Sequence, residues 1–296
     1  MLRSIHLKQW IMKLKYTIII CYLSIVITSI TACAQKKVLP SPANYDFNAP
    51  EKFTMTESLQ EISGIAFNNL KNDTIYAIQD EEGKLFYWQL GSRRISSAKF
   101  GKHGDYEDLA ILNSVVFVLR SDGTLYSFPL SAKSASSINS KEWLNLLPKG
   151  EYEGLYADAK QNNLYVLCKK CVDDKSSKEV SGYVLKASND SLTNAGQFAI
   201  DVKQIQALTQ KKNVKFHPSA LTFNLRTNEW FVLSASNKML VITDESWKVK
   251  QIFDLDPTTF LQPEGIAFDS EDNLYISSEG DDLKNGNVLK FKFLNK

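Results

Sequence analysis

Three glutamates, Glu107, Glu153 and Glu264, each open a short apolar run, and Ser63 and Ser219 hold the same place in two further runs. The five positions lie 44, 46, 66 and 45 residues apart. A side chain that recurs in equivalent units is brought back to one location by the symmetry of the units. Carboxylates gathered in this way repel, and a bound cation, raised pKa values or basic neighbours must offset the repulsion. Ca2+ takes about six to eight oxygens at about 2.3–2.6 Å. Glutamate and serine side chains, carbonyls and water supply such oxygens, so Glu107, Glu153 and Glu264 are the candidate metal ligands. The structural alternative is that each glutamate accepts backbone N–H bonds from the next unit and holds the units together.

A second strand follows each of these runs and returns beside it, so its end joins the same rim. This adds Asp80, Arg120, Lys169 and Glu279 to Ser63, Glu107, Glu153, Ser219 and Glu264 as candidate binding residues. Arg120 and Lys169 are the basic neighbours expected to temper the acids. His217 precedes Pro218-Ser219 at that rim and is a candidate general base; His103 lies in the polar run Gly101–Asp105. Cys168-Lys169-Lys170-Cys171 ends a predicted strand. A local disulfide, a reduced pair, a redox motif and a zinc half-site are all open, although a redox motif needs a βαβ context. Zinc needs two further ligands. Asp269–Asn273 lacks the spaced carboxylates of an EF-hand and reads as a solvated β-turn. Neither a G-x-S-x-G elbow, a phosphate loop nor H-E-x-x-H occurs.

The elements that must position these residues are repeats. Five segments start at Glu61, Tyr106, Tyr152, Pro218 and Pro263. Each has an anchor, a polar turn, an apolar strand (IYAI, VFVL, LYVL, WFVL, LYIS), a second turn and a third strand. Short runs rich in Val, Ile, Tyr and Phe between Asn, Asp, Gly and Ser are strand and hairpin signals. Units of about 40–50 residues with several strands each match propeller blades. The pattern therefore predicts an all-β fold, a β-propeller of five blades, with six as the alternative if a degenerate blade hides in the 66-residue interval. A β-sandwich does not account for the recurring anchor. A helix is predicted near Val202–Lys212, and a second short one near Lys141–Leu147. The last unit lacks an outer strand, and EKFTMT ahead of the first repeat is placed to supply it and close the ring, removing an open edge.

The first 32 residues read as an address. Arg3, Lys8, Lys13 and Lys15 precede an uncharged apolar run from Tyr16 to Ala32, the layout of an export signal. The run ends Ile30-Thr31-Ala32-Cys33, which is similar to a bacterial lipobox, so cleavage before Cys33 and lipidation of Cys33 are expected. Residues 1–32 are then signal peptide, 33–51 a polar, proline-containing tether and 52–296 the propeller. The expected location is the cell envelope, anchored in a membrane and facing the periplasm. Four of the 35 basic residues and none of the 33 acidic ones lie in the leader, so the remainder carries a charge near −2. The basic excess belongs to the leader, and nucleic acid is not an expected partner.

The series E-x-S-G-I, E-D-L, Y-E-G-L, P-S-A-L and P-E-G-I-A-F-D-x-x-x-N-L-Y-I-S-S-E, over Leu59 to Phe293, resembles the SdiA-regulated family of bacterial envelope proteins. The resemblance implies a β-propeller. In related propeller hydrolases, acidic residues at the channel mouth hold Ca2+, which corresponds here to Glu107, Glu153 and Glu264. Ser63 and Ser219 depart from that pattern. Two functions follow: a module that binds an envelope ligand or protein through its carboxylate-lined mouth, with Ca2+ as a candidate cofactor, or a Ca2+-dependent hydrolase of an ester, lactone or phosphoester.

Overall fold

The alternation of apolar and polar residues in each repeat builds hairpins, and the computed structural model stacks them into five four-stranded antiparallel sheets. It describes Trp10, Met12, 14–16 and, with gaps at 72, 173, 175–176 and 189, residues 38–295. Cys33, the lipobox and most of the leader lie outside the described residues. Among the described residues no helix is long and apolar enough to cross a membrane.

The first strand, β1 (Glu51–Thr54), belongs to the last sheet. Blade 1 is β2 (Ile62–Phe67), β3 (Ile75–Gln79), β4 (Glu82–Trp88) and β5 (Ser96–His103). Blade 2 is β6 (Tyr106–Leu112), β7 (Val115–Arg120), β8 (Leu125–Pro129) and β9 (Lys141–Trp143). Blade 3 is β10 (Gly150–Asp158), β11 (Asn163–Cys171), β12 (Glu179–Ser188) and β13 (Ser191–Asp201). Helix α1 (Val202–Thr209) follows. Blade 4 is β14 (Ala220–Asn224), β15 (Glu229–Ser234), β16 (Met239–Thr243) and β17 (Val249–Asp254). Blade 5 is β18 (Gln262–Phe268), β19 (Leu274–Glu279) and β20 (Asn287–Phe291), completed by β1. β1 pairs antiparallel with β20, Glu51 opposite Lys290, so the ring closes with an N-terminal strand as its sequence predicts.

Turn chemistry is legible locally. The β6–β7 hairpin turns on Asn113 (φ 49°) and Ser114 (φ 65°), the doubly positive pair that a type I′ turn requires. The 66-residue interval contains α1 and the long strands β12 and β13, of 10 and 11 residues, and no sixth blade. The Asp201 side chain caps α1 by accepting from Lys203 N at 2.9 Å. The second predicted helix does not form. Lys141–Trp143 is instead edge strand β9, held on β8 with Trp143 Nε1 donating to Ser127 Oγ at 2.8 Å. Aromatic and aliphatic content there serves packing between sheets, which overrides a weak helical preference.

The core is layered between blades. Leu85, Tyr106, Val118 and Phe128 fill the layer between blades 1 and 2, and Phe231, Leu240, Ile266 and Phe291 that between blades 4 and 5. Part of the expected tether belongs to this core. Tyr45 and Phe47 are buried against Phe260, Phe268 and Phe291, and the Tyr45 hydroxyl donates to Asp272 O at 2.8 Å.

Candidate functional site: an acidic channel mouth

The inner strands β2, β6, β10, β14 and β18 neighbour one another around one channel. Pairing between inner and second strands slips at the anchors: between Ile62 and Ile65, Tyr106 and Asp108, Tyr152 and Gly154, and Pro263 and Gly265. Ser63, Glu107, Glu153 and Glu264 therefore sit in β-bulges, which re-aim a side chain and end regular pairing. Ser219 lies one residue ahead of β14, its N–H bonded to Leu233 O at 2.9 Å.

The bulges bring carboxylates together. Glu107 and Glu153 meet across the junction of blades 2 and 3 closely enough to share a proton, and burial pushes both carboxyls up, with each other's charge adding to Glu107. Lys169 Nζ holds Glu153 Oε1 at 2.6 Å and Glu151 Oε1 at 3.3 Å. Burial pushes Glu264 up to about 8, helped by Glu153 and Glu279. Glu279 rises to about 7 through burial, then Asp80 and Glu61. Asp80 rises to about 6 through burial and its close neighbour Glu61. Asp80 Oδ1 is buried without a hydrogen-bond partner. Beside the ring, a cavity of about 410 Å3 is lined by Lys169, His217, Ser219, Ser236, Lys238 and Glu264, among others.

Not every expected residue faces this mouth. Arg120 turns to its own hairpin, bonded to Asp122 Oδ2 at 2.6 Å, Tyr126 Oη at 2.9 Å and Thr124 Oγ1 at 3.1 Å. Lys169 therefore balances the ring together with Lys238, whose ammonium burial holds down in pKa and Glu264 supports. Ser63 is buried, and its carbonyl accepts from Ser277 Oγ at 2.6 Å. Ser219 Oγ donates to Pro263 O at 2.7 Å, clasping blade 4 to blade 5. Glu279 accepts from Gln262 Nε2 at 2.6 Å. Glu61, Lys238 and Gln262 were missed because they lie outside the repeated anchor positions.

The inter-blade clasp expected of the glutamates belongs to the neighbouring aspartate. Asp108, fully buried, accepts from Leu109 N at 2.8 Å and from Leu155 N of blade 3 at 2.7 Å. Gly64 of blade 1 leaves room for it, since a Cβ there would lie 2.2 Å from Asp108 Oδ1. The Asp269–Asn273 turn is solvated only at its tip, where Ser270 and Glu271 are exposed: Asp269 is buried and accepts from Glu271 N, Asn273 N and Tyr275 Oη. His217 lines the mouth cavity with Nδ1 at 3.4 Å from Lys169 O, whereas His103 is exposed beside Glu81.

The donor set of carboxylates and a hydroxyl is of the hard-oxygen kind that Ca2+ takes. It is spread as an open ring, and Lys169 already holds Glu153. Among the described residues, the only grouping of metal-ligating side chains with ligand atoms within 4.8 Å of one another is Cys168, Cys171 and Asp174. Cys168 and Cys171 are joined in a disulfide, so neither sulfur is a thiolate available to a metal.

Below the mouth the channel changes character. Ile65, Leu109, Leu155, Leu221 and Ile266, each two residues beyond its anchor, are all buried and form an aliphatic collar. Beyond the collar, an apolar cavity of about 280 Å3 opens at the other end of the inner strands.

Fold and mouth together define a five-bladed β-propeller with an acidic ring at one end of its channel. The chain belongs to the SdiA-regulated family, whose pattern it matches over residues 41–282. No curated protein matches it in sequence. Among solved structures, a Myxococcus xanthus glutaminyl cyclase is similar with TM-score 0.55 and 11% identity, covering 83% of this chain and 96% of that one. A luciferin-regenerating enzyme is similar with TM-score 0.52 and 11% identity, over the same shares. At that identity the likeness is one of fold.

Proposed function

We propose that this protein is a binding module of the cell envelope, held to a membrane through Cys33, whose acidic mouth takes a ligand by a positively charged group. The observation that carries the reading is the gathering of Glu107, Glu153, Glu264 and Glu279 around Lys169, with Asp80 beside Glu279 and carboxyl pKa values raised by burial and mutual repulsion. Such a ring is relieved by incoming positive charge, and binding a cation releases its protons.

Ca2+ is the simplest ligand of this kind. Glu107, Glu153 and Glu264 would hold it, with Lys169 displaced from Glu153. Calorimetric titration of Ca2+ into metal-free protein at pH 8 tests the reading. Binding that tightens with pH, and that weakens at least tenfold in Glu264→Gln, is the expected result. Parallel titration with a primary alkylamine separates metal from organic cation. If neither binds, the mouth is not a cation site. Turnover of ester, lactone or phosphoester substrates in the Ca2+-loaded protein would replace the binding module with the hydrolase reading.

A further inference from the structure

The channel has a second chamber that the acidic mouth does not use. The aliphatic collar lines it, and the apolar cavity shares no lining residue with the cavity at the mouth. Its walls come from all five blades, and beyond the collar Phe67, Phe223 and Phe268 line it. A ring of packed blades does not readily collapse onto such a space, because Phe67, Phe223 and Phe268 are held in three different clusters of the core. An apolar pocket with a few polar groups at its lip is a binding site for a largely apolar small molecule.

Size and charge narrow the ligand. At about 30 Å3 per water-sized group, the 280 Å3 cavity holds about nine methylene-sized groups. One cation stands at the lip: Lys160 lines the cavity, is exposed, and makes no ion pair among the described residues. It is held there by the β10–β11 turn, in which Asp158 Oδ1 accepts from Lys160 N at 2.8 Å and Gln161 N at 3.2 Å. Asp158, which also lines the cavity, turns one carboxylate oxygen into its own backbone and forms no ion pair with Lys160. Arg226, on the corresponding turn of blade 4, is already bonded to Asp272 and lies over the Phe293 ring.

We propose that this chamber binds an amphipathic monoanion, a medium-length acyl chain or similar apolar body, with its carboxylate at Lys160. The site is independent of the cation reading of the mouth. Calorimetric titration of the folded protein with straight-chain carboxylates from C6 to C12 tests it. Affinity should rise about fourfold per methylene and level off near nine or ten carbons, where the chamber is full. Ala157→Trp, which fills the chamber from its wall, should abolish nonanoate binding. Lys160→Glu changes an exposed side chain, cannot disturb the core, and should weaken nonanoate at least tenfold. Absence of binding across the series, a chain-length profile without a plateau, or nonanoate affinity unchanged in Lys160→Glu would each overturn the proposal. Equal affinity for octanoate and 1-octanol would overturn it as well.

Discussion

Glu107 and Glu153 are the same residue type at the same repeat position, yet the structure gives them different work. Burial and the Glu153 charge push the Glu107 carboxyl up toward its protonated form, while Glu153 is the acceptor of Lys169. An amide imitates a protonated carboxyl, so Glu107→Gln should change stability by under about 1 kcal/mol, whereas Glu153→Gln leaves Lys169 partly unpaired and should cost about 2 kcal/mol or more in urea melts. Asp108→Ala should cost more still, about 2–4 kcal/mol, because it orphans the buried Leu155 N–H that joins blade 3 to blade 2. The ring also sets a pH dependence. Glu264 titrates near 8 in the folded chain and in the ordinary glutamate range when unfolded. Between those values the folded state binds more protons, so stability present at low pH is lost as pH rises through about 8. Thermal melts should fall from pH 5 to pH 9. Glu264→Gln should be flatter and, at pH 9, roughly 1–3 kcal/mol more stable than the parent.

At the scale of elements, the N-terminal segment is structural rather than a spacer. Phe47 packs tilted against Phe260 and Phe291, and β1 covers the outer edge of blade 5. A chain starting at Leu39 should melt like one starting at Cys33. One starting at Met55 leaves β20 as an exposed edge, and should aggregate on refolding, measured by light scattering. Phe47→Ala should cost about 3–5 kcal/mol through the cavity it opens. The repeat was legible as elements because hairpin turns are local: Asn113-Ser114 specifies its own turn whatever surrounds it. β9 was misread as helix because three residues of edge strand carry too little periodicity, and their pairing partner β8 decides their form.

For the whole molecule, anchoring is the remaining expectation. Cys33→Ser should release the protein from the membrane fraction, and mass spectrometry of the parent should show an acylated Cys33 as the first residue. A propeller, its closure by β1, the family and an acidic rim were legible in the sequence, since a repeat encodes its geometry in spacing and each unit carries its own strand and turn signals; the choice of five blades over six fell to the structure. Only the tertiary structure decided which rim residues act together. Arg120 was drawn off by Asp122 and Tyr126, Asp108 took the clasp from the glutamates, and Glu61 and Lys238 joined the mouth from positions other than the repeated anchors. Spacing states where a backbone goes, but a bulge and the partners across a blade junction aim the side chain. The same closure gathered one aliphatic residue per blade around an apolar cavity that no single repeat contains.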